Sequence, residues 1–399
     1  MTRHRPPVGS RDLLPWEVAR KQHLEQQWVQ VFQRWGYARI IPPTLERLET
    51  LTAGGAIDRQ TVLQLRDPSG TELGLRPELT ASIVRAVASR MTDVALPIRL
   101  FYYGSVFQAT LQEQERFQAG IELLGAGDWL ADAEVVLILA ECLKTLALPE
   151  WTLILGDVSL TQSLLASLSP GCQQAVKTAL ANLDRVGLET LPLSDRDRQW
   201  ALTLFDLRDE PERLWPRLQQ LPLAGAARER LLWLQNITAL LAQQGVRVTV
   251  DLSLIQPFAY YTGLIFKAVA GGEVVGSGGR YDQLHALFSP QKVAQPGMGF
   301  CLLIEPILRL LGSDLDPPTT VSDYLVVPQD EATAAVALQV IAQWPHPEQR
   351  LSLELLQRSP NEVLAYAKAV GIPEILWVQP DGSYSVTAVE VDKRAGVGT

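Results

Sequence analysis

Three pairs of polar or aromatic residues stand where side chains of their type can do chemistry. The pairs are Glu78 and Thr80, Gln118 and Glu122, and Tyr260 and Tyr261. A carboxylate at a strand-to-helix junction can cap the helix, and residues four apart in a strand share one face. Paired tyrosines could floor a pocket, because each combines an apolar ring with a hydroxyl. Each pair also has a purely structural explanation. The first could be a helix cap, the second the exposed polar face of an edge strand, and the third part of the core packing.

The tyrosine pair opens the most patterned stretch of the chain, residues 251–284. Alternation with period two over 260–269 predicts a strand that starts at the tyrosines. Gly271-Gly272 can take positive φ at both central positions of a hairpin turn, so the next strand is expected to return antiparallel. The three glycines between positions 276 and 279 predict a turn into a helix. There the backbone would pass close to a neighbouring strand or to a small ligand.

The elements around the other two pairs follow from periodicity and turn residues. Residues 61–76 predict a hairpin about Pro68-Ser69-Gly70, and the run LRPELT predicts the start of a helix at Glu78 and Thr80. Two strands are predicted at 98–108 and 116–125, joined by a polar loop. Gln118 and Glu122 lie in the second of these strands.

The remaining predicted elements of the first 315 residues are mostly helical. Residues 16–35 have apolar side chains at helical spacing, and a short strand then runs into Pro42-Pro43, where no helix can continue. Residues 160–245 are rich in leucine and predict a helical insertion, with a solvated charged loop from Asp206 to Glu212. The other predicted elements are a helix from Asp128, a strand at 151–158 and a strand-to-helix unit at 297–311.

Residues 321–399 predict a second, small domain. The run Asp314 to Thr320 contains two prolines and predicts a linker. Strands and helices then alternate and end in a hairpin-like tail, which indicates a small α/β domain with parallel strands. The last dozen residues are expected to fray.

The composition excludes several classes of protein. Among 399 residues, 47% are apolar and 20% are charged, so a large core is available and disorder is not expected. A net charge of −9 disfavours general binding to nucleic acid. Three scattered cysteines and four histidines predict neither a disulfide framework nor a structural zinc site, and they fit a reducing cytosol. The N-terminus lacks the apolar region of a signal peptide, and no run is long and apolar enough to span a membrane.

Several motifs carry a resemblance to a known family. YYTG at 260–263, SGGRYDQL at 277–284 and GMGF at 297–300 resemble the second half of a histidyl-tRNA synthetase catalytic domain. The opening run PPVGSRDLLPWE resembles the N-terminus of that family. The unit of helix, strand and Pro42-Pro43 resembles the dimer-forming motif of class II synthetases. The resemblance implies an α+β fold with a mostly antiparallel class II sheet flanked by helices, a helical insertion and a C-terminal domain like a degenerate anticodon-binding domain.

The same resemblance implies a ligand for the three pairs. In the family, residues that match Glu78 and Thr80 bind the α-amino group of histidine, and those that match Gln118 and Glu122 line the histidine pocket. A buried carboxylate suits an ammonium, because the pair compensates for lost hydration. Together with the tyrosine pair they form the set of candidate histidine-binding residues. No metal and no cofactor is implied.

The nucleotide half of such a site is changed in this chain. A synthetase needs fixed cations to bind ATP and to stabilise the charge that develops at the α-phosphate, and arginine is suited to both tasks. Four positions where the family has arginine hold other residues, namely Gln108 after Phe107, Gln114, Gln256 before Pro257, and Pro306 after Glu305. Thr110 replaces an ATP-contacting glutamate. No catalytic residue is therefore expected.

A chain that has lost the nucleotide-binding residues of such a site but keeps its amino-acid-binding residues resembles one family closely. That family is the regulatory subunits of ATP phosphoribosyltransferase. The resemblance implies a cytoplasmic, non-catalytic chain that acts in the first step of histidine biosynthesis. Its implied partners are the short catalytic subunit, a second copy of itself within the hetero-oligomer, and L-histidine as a feedback effector. Neither nucleic acid nor a membrane is an expected partner. Whether histidine acts in the pocket, on the partner or at their interface is open.

Two other functions stay open from the sequence. An active histidyl-tRNA synthetase could use relocated cations, and pyrophosphate exchange with ATP and histidine would reveal it. A tRNA-binding module for translational control would show salt-dependent binding of tRNA, although the acidic composition argues against it. The arginines available for relocation are Arg76, Arg85, Arg99, Arg116 and Arg280.

Overall fold

The computed structural model describes residue 4 and residues 6–110, 114–221, 223, 225–254, 260–312 and 322–391. The chain divides into two compact units, one of residues 1–12 and 24–314, the other of residues 13–23 and 315–399. The predicted linker at 314–320, the position of Gln256 and most of the terminal segment predicted to fray lie outside the described residues.

The larger unit contains twelve strands among its described residues. They are β1 (Ala38–Arg39), β2 (Leu45–Arg47), β3 (Gln64–Arg66), β4 (Glu72–Leu75), β5 (Ile98–Phe107), β6 (Glu115–Leu124), β7 (Trp151–Asp157), β8 (Arg208–Asp209), β9 (Val248–Asp251), β10 (Leu264–Ala270), β11 (Glu273–Arg280) and β12 (Gly297–Leu303). Nine of them form one sheet in the order β1-β5-β6-β12-β11-β10-β7-β9-β8. Only the pairs β1 with β5 and β7 with β9 are parallel. A separate sheet of three strands has the order β2-β4-β3.

Helices surround these strands and fill the insertion. They are α1 (Pro15–Arg34), which spans both units, α2 (Leu48–Leu51), α3 (Thr80–Arg90), α4 (Trp129–Lys144), α5 (Val158–Leu165), α6 (Gln173–Ala181), α7 (Arg185–Thr190), α8 (Asp195–Phe205), α9 (Pro211–Gln219), α10 (Ala226–Gln243), α11 (Leu284–Phe288) and α12 (Ile304–Leu311). None of the helices within the described ranges is long and apolar enough to cross a membrane.

Helix α3 brings the Glu78 and Thr80 pair onto the large sheet. Its apolar positions Ile83, Val84 and Val87 are buried in one core cluster with Leu100 and Tyr102 of β5. Spacings of three and four residues place these side chains on one face of the helix. The first turn of α3 is therefore held against the same face of the sheet that carries Tyr102.

The stretch 251–284 contains the predicted hairpin but differs from the prediction in two places. Gly271 and Gly272 have φ of 55° and 81°, and β10 pairs antiparallel with β11. The first strand begins at Leu264 rather than at Tyr260, because the ladder of β10 with β7 starts at Leu264 and its ladder with β11 starts at Ile265. The glycine-rich segment is not a turn, since it belongs to β11 and pairs with strands on both sides.

The insertion between β7 and β9 is largely helical, with α5 to α10 in sequence. The charged run from Asp206 is not only a loop. Its residues Arg208 and Asp209 form β8, which pairs antiparallel with Asp251 and Val250 at the end of the sheet. The open edge of β9 supplies the backbone partners that a local sequence pattern does not show.

Besides the first residues of α1, the smaller unit contains a four-stranded sheet and two α-helices among its described residues. Its elements are β13 (Tyr324–Pro328), α13 (Ala334–Ala342), β14 (Leu351–Leu353), α14 (Pro360–Val370), β15 (Glu374–Val378) and β16 (Tyr384–Ala388). The strand order is β14-β13-β15-β16. The first three strands are parallel and β16 is antiparallel, so the sheet is mixed. Separate apolar clusters join α13 and α14 to the sheet.

Candidate functional site

Glu78 caps helix α3 with both of its carboxylate oxygens. Its Oε2 accepts from the Thr80 backbone N–H at 2.5 Å, and its Oε1 accepts from the Ala81 N–H at 2.9 Å. Burial raises the pKa of Glu78, and the bonds from Ala81 and Thr80 oppose that rise. The structural explanation of this residue is therefore realised, since the carboxylate satisfies two otherwise unpaired donors at a helix end.

Glu122 lies at the centre of the candidate site and is fully buried. Its Oε1 accepts from the Thr80 hydroxyl at 2.6 Å, and its Oε2 accepts from the Tyr281 hydroxyl. Burial raises the pKa of Glu122 to about 8, although the bonds from Thr80 and Tyr281 lower it and the nearby Glu78 adds to the rise. Without a cationic partner, this carboxyl therefore holds a proton at neutral pH.

The tyrosine pair lies next to Tyr281, which bonds to Glu122. The ring centroids of Tyr260 and Tyr261 are 4.8 Å apart, and the Tyr260 centroid is 6.0 Å from that of Tyr281 in an edge-on arrangement. Because the segment before Leu264 is not a strand, the two tyrosines do not point to opposite faces, and both pack on the cluster formed by α3 and β5. Burial raises the pKa of all three phenols, which therefore remain protonated hydrogen-bond donors.

Gln118 shares the face of Glu122 but does not touch it. Both lie in β6 and are buried, with 8% and 0% of their surface exposed. Strand β6 lies between β5 and β12, so the alternative of an exposed edge strand is wrong. Four residues of extended chain separate the two side chains by about 13 Å. Gln118 and Glu122 therefore occupy separate places along this face.

Glycines of the recognised motifs make room for these side chains. A Cβ on Gly299 would collide with the Glu122 carboxylate, and one on Gly297 would collide with the Tyr281 ring. A Cβ on Gly279 would lie 2.8 Å from the Tyr261 ring. The glycines of SGGRYDQL and GMGF therefore form a flat floor on which the carboxylate and the phenols lie. Of the two expectations for these glycines, the close approach to neighbouring strands is realised.

Tyr281 and Tyr102 belong to the site and were not among its predicted residues. Tyr281 bonds directly to Glu122, and the Tyr102 hydroxyl donates to the Phe300 carbonyl at 3.3 Å. The signal for Tyr281 was its place straight after the glycines of SGGRYDQL. Tyr102 carried no such signal, because a tyrosine in a strand is usually core.

The arginines that could have replaced the lost cations are mostly engaged elsewhere. Four of them have partners inside the fold: Arg76 with the carbonyls of Pro42, Pro43 and Ser105, Arg85 with Glu46, Arg99 with Glu134, and Arg280 with Asp132 and Asp282. The fifth, Arg116, lies in β6. At the motif positions themselves, the Gln108 N–H donates to the Gln114 carbonyl at 2.9 Å, and Glu305 accepts from the Phe117 N–H at 2.8 Å.

The arrangement is suited to recognition of a small polar molecule. It offers buried carboxylates, phenol donors and a buried amide on one face of the sheet. No group of three or more His, Cys, Asp or Glu side chains within the described ranges could hold a metal ion. Buried carboxyl groups beside phenols in an apolar surrounding favour a ligand that brings its own positive charge and hydrogen-bond donors.

Comparisons with known proteins identify the family of this chain. The sequence model of the family described as histidyl-tRNA synthetase matches residues 9–307. A protein of Synechococcus sp. (strain JA-3-3Ab), named ATP phosphoribosyltransferase regulatory subunit, is 53% identical, with 97% of this chain and 95% of that protein covered. A protein of the same name from Gloeobacter violaceus is 47% identical over 95% of this chain and 97% of its own length.

A solved structure supports the same assignment and the fold. It is described as an ATP phosphoribosyltransferase regulatory subunit/histidyl-tRNA synthetase from Bacillus halodurans, with a TM-score of 0.82 and 26% identity. The match covers 94% of this chain and 98% of that one. The prediction of an α+β, class II synthetase-like fold is thereby confirmed. Identity of about half over nearly the whole length shows that this chain belongs to the family of ATP phosphoribosyltransferase regulatory subunits.

Proposed function

We propose that this chain is the non-catalytic regulatory subunit of ATP phosphoribosyltransferase, the enzyme of the first step of histidine biosynthesis. One observation carries the proposal beyond family membership. Thr80 and Tyr281 bond to Glu122 in the segments that resemble the amino-acid half of a synthetase site, whereas the family's arginine positions in the nucleotide half hold glutamine or proline. The arginines Arg76, Arg85, Arg99 and Arg280, which might compensate, are bound to partners in the fold.

The proposed partner is the short catalytic subunit, which requires this chain for activity. The proposed effector is L-histidine, bound in the site around Glu122, Thr80 and the tyrosines. Histidine brings an ammonium for a carboxylate and an imidazole for hydroxyl and amide groups. Feedback then requires only that histidine bind a less active state of the complex more tightly. The scattered cysteines support a cytoplasmic complex.

The activity of the short catalytic subunit tests this function directly. It is measured alone, with this chain, and with this chain during a histidine titration. We expect activity to appear or rise on mixing and to fall as histidine is added. Unchanged activity together with separate elution of the two chains would contradict the proposal.

A homodimer is proposed through the segment that resembles the dimer-forming motif. Ile41 is 73% exposed. The prolines that follow it are held from inside, since Arg76 Nη1 donates to the carbonyls of Pro42 and Pro43 at 2.7 and 3.0 Å. An open cavity of about 780 Å³ lies between this segment and Arg85 and Arg90 of α3. A rigid segment that exposes an aliphatic side chain beside a concavity is suited to a self-complementary contact.

The variant Ile41→Glu should convert the dimer to monomer in sedimentation or light scattering. A twofold interface contains the substitution twice, so two carboxylates would lose hydration on association. The dissociation constant of the dimer should therefore rise by roughly 100-fold or more. Val186→Glu is the matched control, because Val186 is 72% exposed and lies in α7 of the insertion. A dimer that survives Ile41→Glu would place the interface elsewhere.

The role of the small unit is also a proposal. Its mixed sheet, with apolar clusters joining α13 and α14 to it, supports descent from an anticodon-binding domain. We place the domain boundary in the segment 314–320, between a core of residues 1–315 and a small domain of residues 321–399.

A further inference from the structure

Four charged side chains form a buried network of ion pairs that begins in the helical insertion. Arg230 of α10 donates to Asp157 Oδ2 from Nε at 2.9 Å and from Nη2 at 2.5 Å. The same Nη2 lies 3.8 Å from Asp132 Oδ2 in α4. Arg280, the last residue of β11, donates to Asp132 Oδ1 from Nε at 2.8 Å and from Nη2 at 2.5 Å. The exposed side-chain fractions are 15% for Arg230 and at most 3% for the others.

At one end of this network, Arg280 adjoins the candidate histidine site. Arg280 immediately precedes Tyr281, whose hydroxyl bonds to Glu122. The Arg280 carbonyl accepts from the Thr262 N–H at 2.8 Å, directly after the tyrosine pair. A Cβ on Gly263 would lie 3.0 Å from Arg280 Cδ and 3.1 Å from Arg230 Nη2. Both guanidinium side chains therefore pack against the segment that carries the tyrosines.

At the other end of the network, Asp157 and Arg230 connect the first and last helices of the insertion to the sheet. Asp157 ends β7, and its Oδ1 caps α5 by accepting from the Leu160 N–H at 2.9 Å. The N–H of Val158 donates to the Gly263 carbonyl at 2.9 Å. The hydroxyl of Ser159 donates to the Thr262 carbonyl at 2.7 Å. The first helix of the insertion and Arg230 of its last helix are thus tied to the same tyrosine segment.

Buried charges make the positions of these groups interdependent. An unpaired charge is very unfavourable in the interior, so a shift of one member forces its partner to follow. Arg230 hydrogen-bonds to Asp157, whereas Asp132 Oδ2, 3.8 Å away, has no hydrogen-bond donor among the described residues. Two carboxylates therefore compete for one guanidinium, and a small movement of α10 would change which of them it satisfies. Two alternative pairings are what a switching element requires.

We propose that Arg230 is a positioning residue of the histidine site, and that through it the insertion responds to occupancy of the site. This rests on the proposed binding of histidine around Glu122. A ligand that moves Tyr281 or the tyrosine pair acts on Arg280, and through Asp132 on Arg230 and α10. The insertion is then the part of the chain that reports histidine to the rest of the complex.

Hydrogen exchange of the unaltered full chain, with and without L-histidine, tests the coupling without any variant. We expect histidine to slow exchange around Tyr260 and Tyr281, and also to change it by about threefold or more in α5 and α10. If histidine protects the site and leaves α5 and α10 unchanged, the coupling is wrong and the histidine site stands. If calorimetry shows no binding of histidine to the chain, alone or with the catalytic subunit, both proposals fail together.

A pair of variants on α10 separates positioning from general stability. Arg230→Gln should weaken histidine binding by about tenfold, a common size of coupling between sites, and should abolish the change in α10. Arg228→Gln is the control, because Arg228 is exposed on the same helix. The affinity of this variant for histidine should stay within twofold of that of the parent chain. Arg230→Lys keeps the buried charge if Arg230→Gln does not fold, and it should bind histidine more weakly than the parent chain. Parent-like affinity and α10 response in the folded Arg230 variant would overturn the proposal.

Discussion

Histidine should bind more tightly as the pH rises from 6.5 to 8, with release of a proton from Glu122. Burial raises the pKa of this carboxyl to about 8, so the empty site holds the neutral form over this range. An ammonium beside it favours the charged form, which lowers the pKa in the complex. The affinity should therefore rise by up to about tenfold per pH unit and level off above pH 8. Calorimetry in two buffers with different ionisation enthalpies measures the proton count.

Two variants assign this pH dependence to one residue. Glu122→Gln keeps the size of the side chain and removes its charge, so binding should fall by roughly 10- to 100-fold and become independent of pH. Gln118→Ala should weaken binding but keep the pH dependence, because Glu122 is unchanged. Glu78→Ala is a poorer probe, since it also removes a helix cap and about 1 kcal/mol of stability. A flat affinity across this pH range in the parent chain would show that Glu122 does not meet a cationic ligand.

Loss of Asp132 should strongly destabilise the larger unit. The side chains of Asp132 and Arg280 are 0% and 3% exposed, and the guanidinium donates twice to one carboxylate oxygen. Asp132→Ala would leave a buried arginine without its main partner, which typically costs about 3–5 kcal/mol. At about 2 °C per kcal/mol for a unit of this size, the melting temperature should fall by about 6–10 °C. Differential scanning calorimetry of the full chain measures the shift.

An exposed ion pair and a double variant serve as controls for Asp132. Glu150 pairs with Arg247 at 3.0 Å but is 86% exposed, so Glu150→Ala should cost less than about 1 kcal/mol. Combining Asp132→Ala with Arg280→Met removes the orphaned charge and should regain most of the lost stability. Equal effects of Asp132→Ala and Glu150→Ala would mean that the buried pair contributes no more than a surface pair.

Local patterns predicted the elements that carry the site because their causes are local. The hairpin of β10 and β11 follows from two adjacent glycines with positive φ, and the helix after LRPELT follows from apolar spacing. The errors occurred where distant backbone decides the structure. Tyr260 and Tyr261 continue the alternation of the strand, yet the pairing partners of β10 begin at Leu264. Arg208 and Asp209 form a strand only because the edge of β9 is beside them.

The sequence by itself determined the fold class and the family, and it predicted a set of candidate site residues. It did so because glycine motifs, paired tyrosines and replaced arginines can be recognised without knowing what they touch. The tertiary structure alone decided that Tyr281 meets Glu122, and that a carboxyl in this place keeps its proton near neutral pH. It alone also joined Arg230 to Arg280 through Asp132, across separations of 98 and 148 residues that leave no local pattern. Burial and pairing of charge depend on neighbours that only the folded chain brings together.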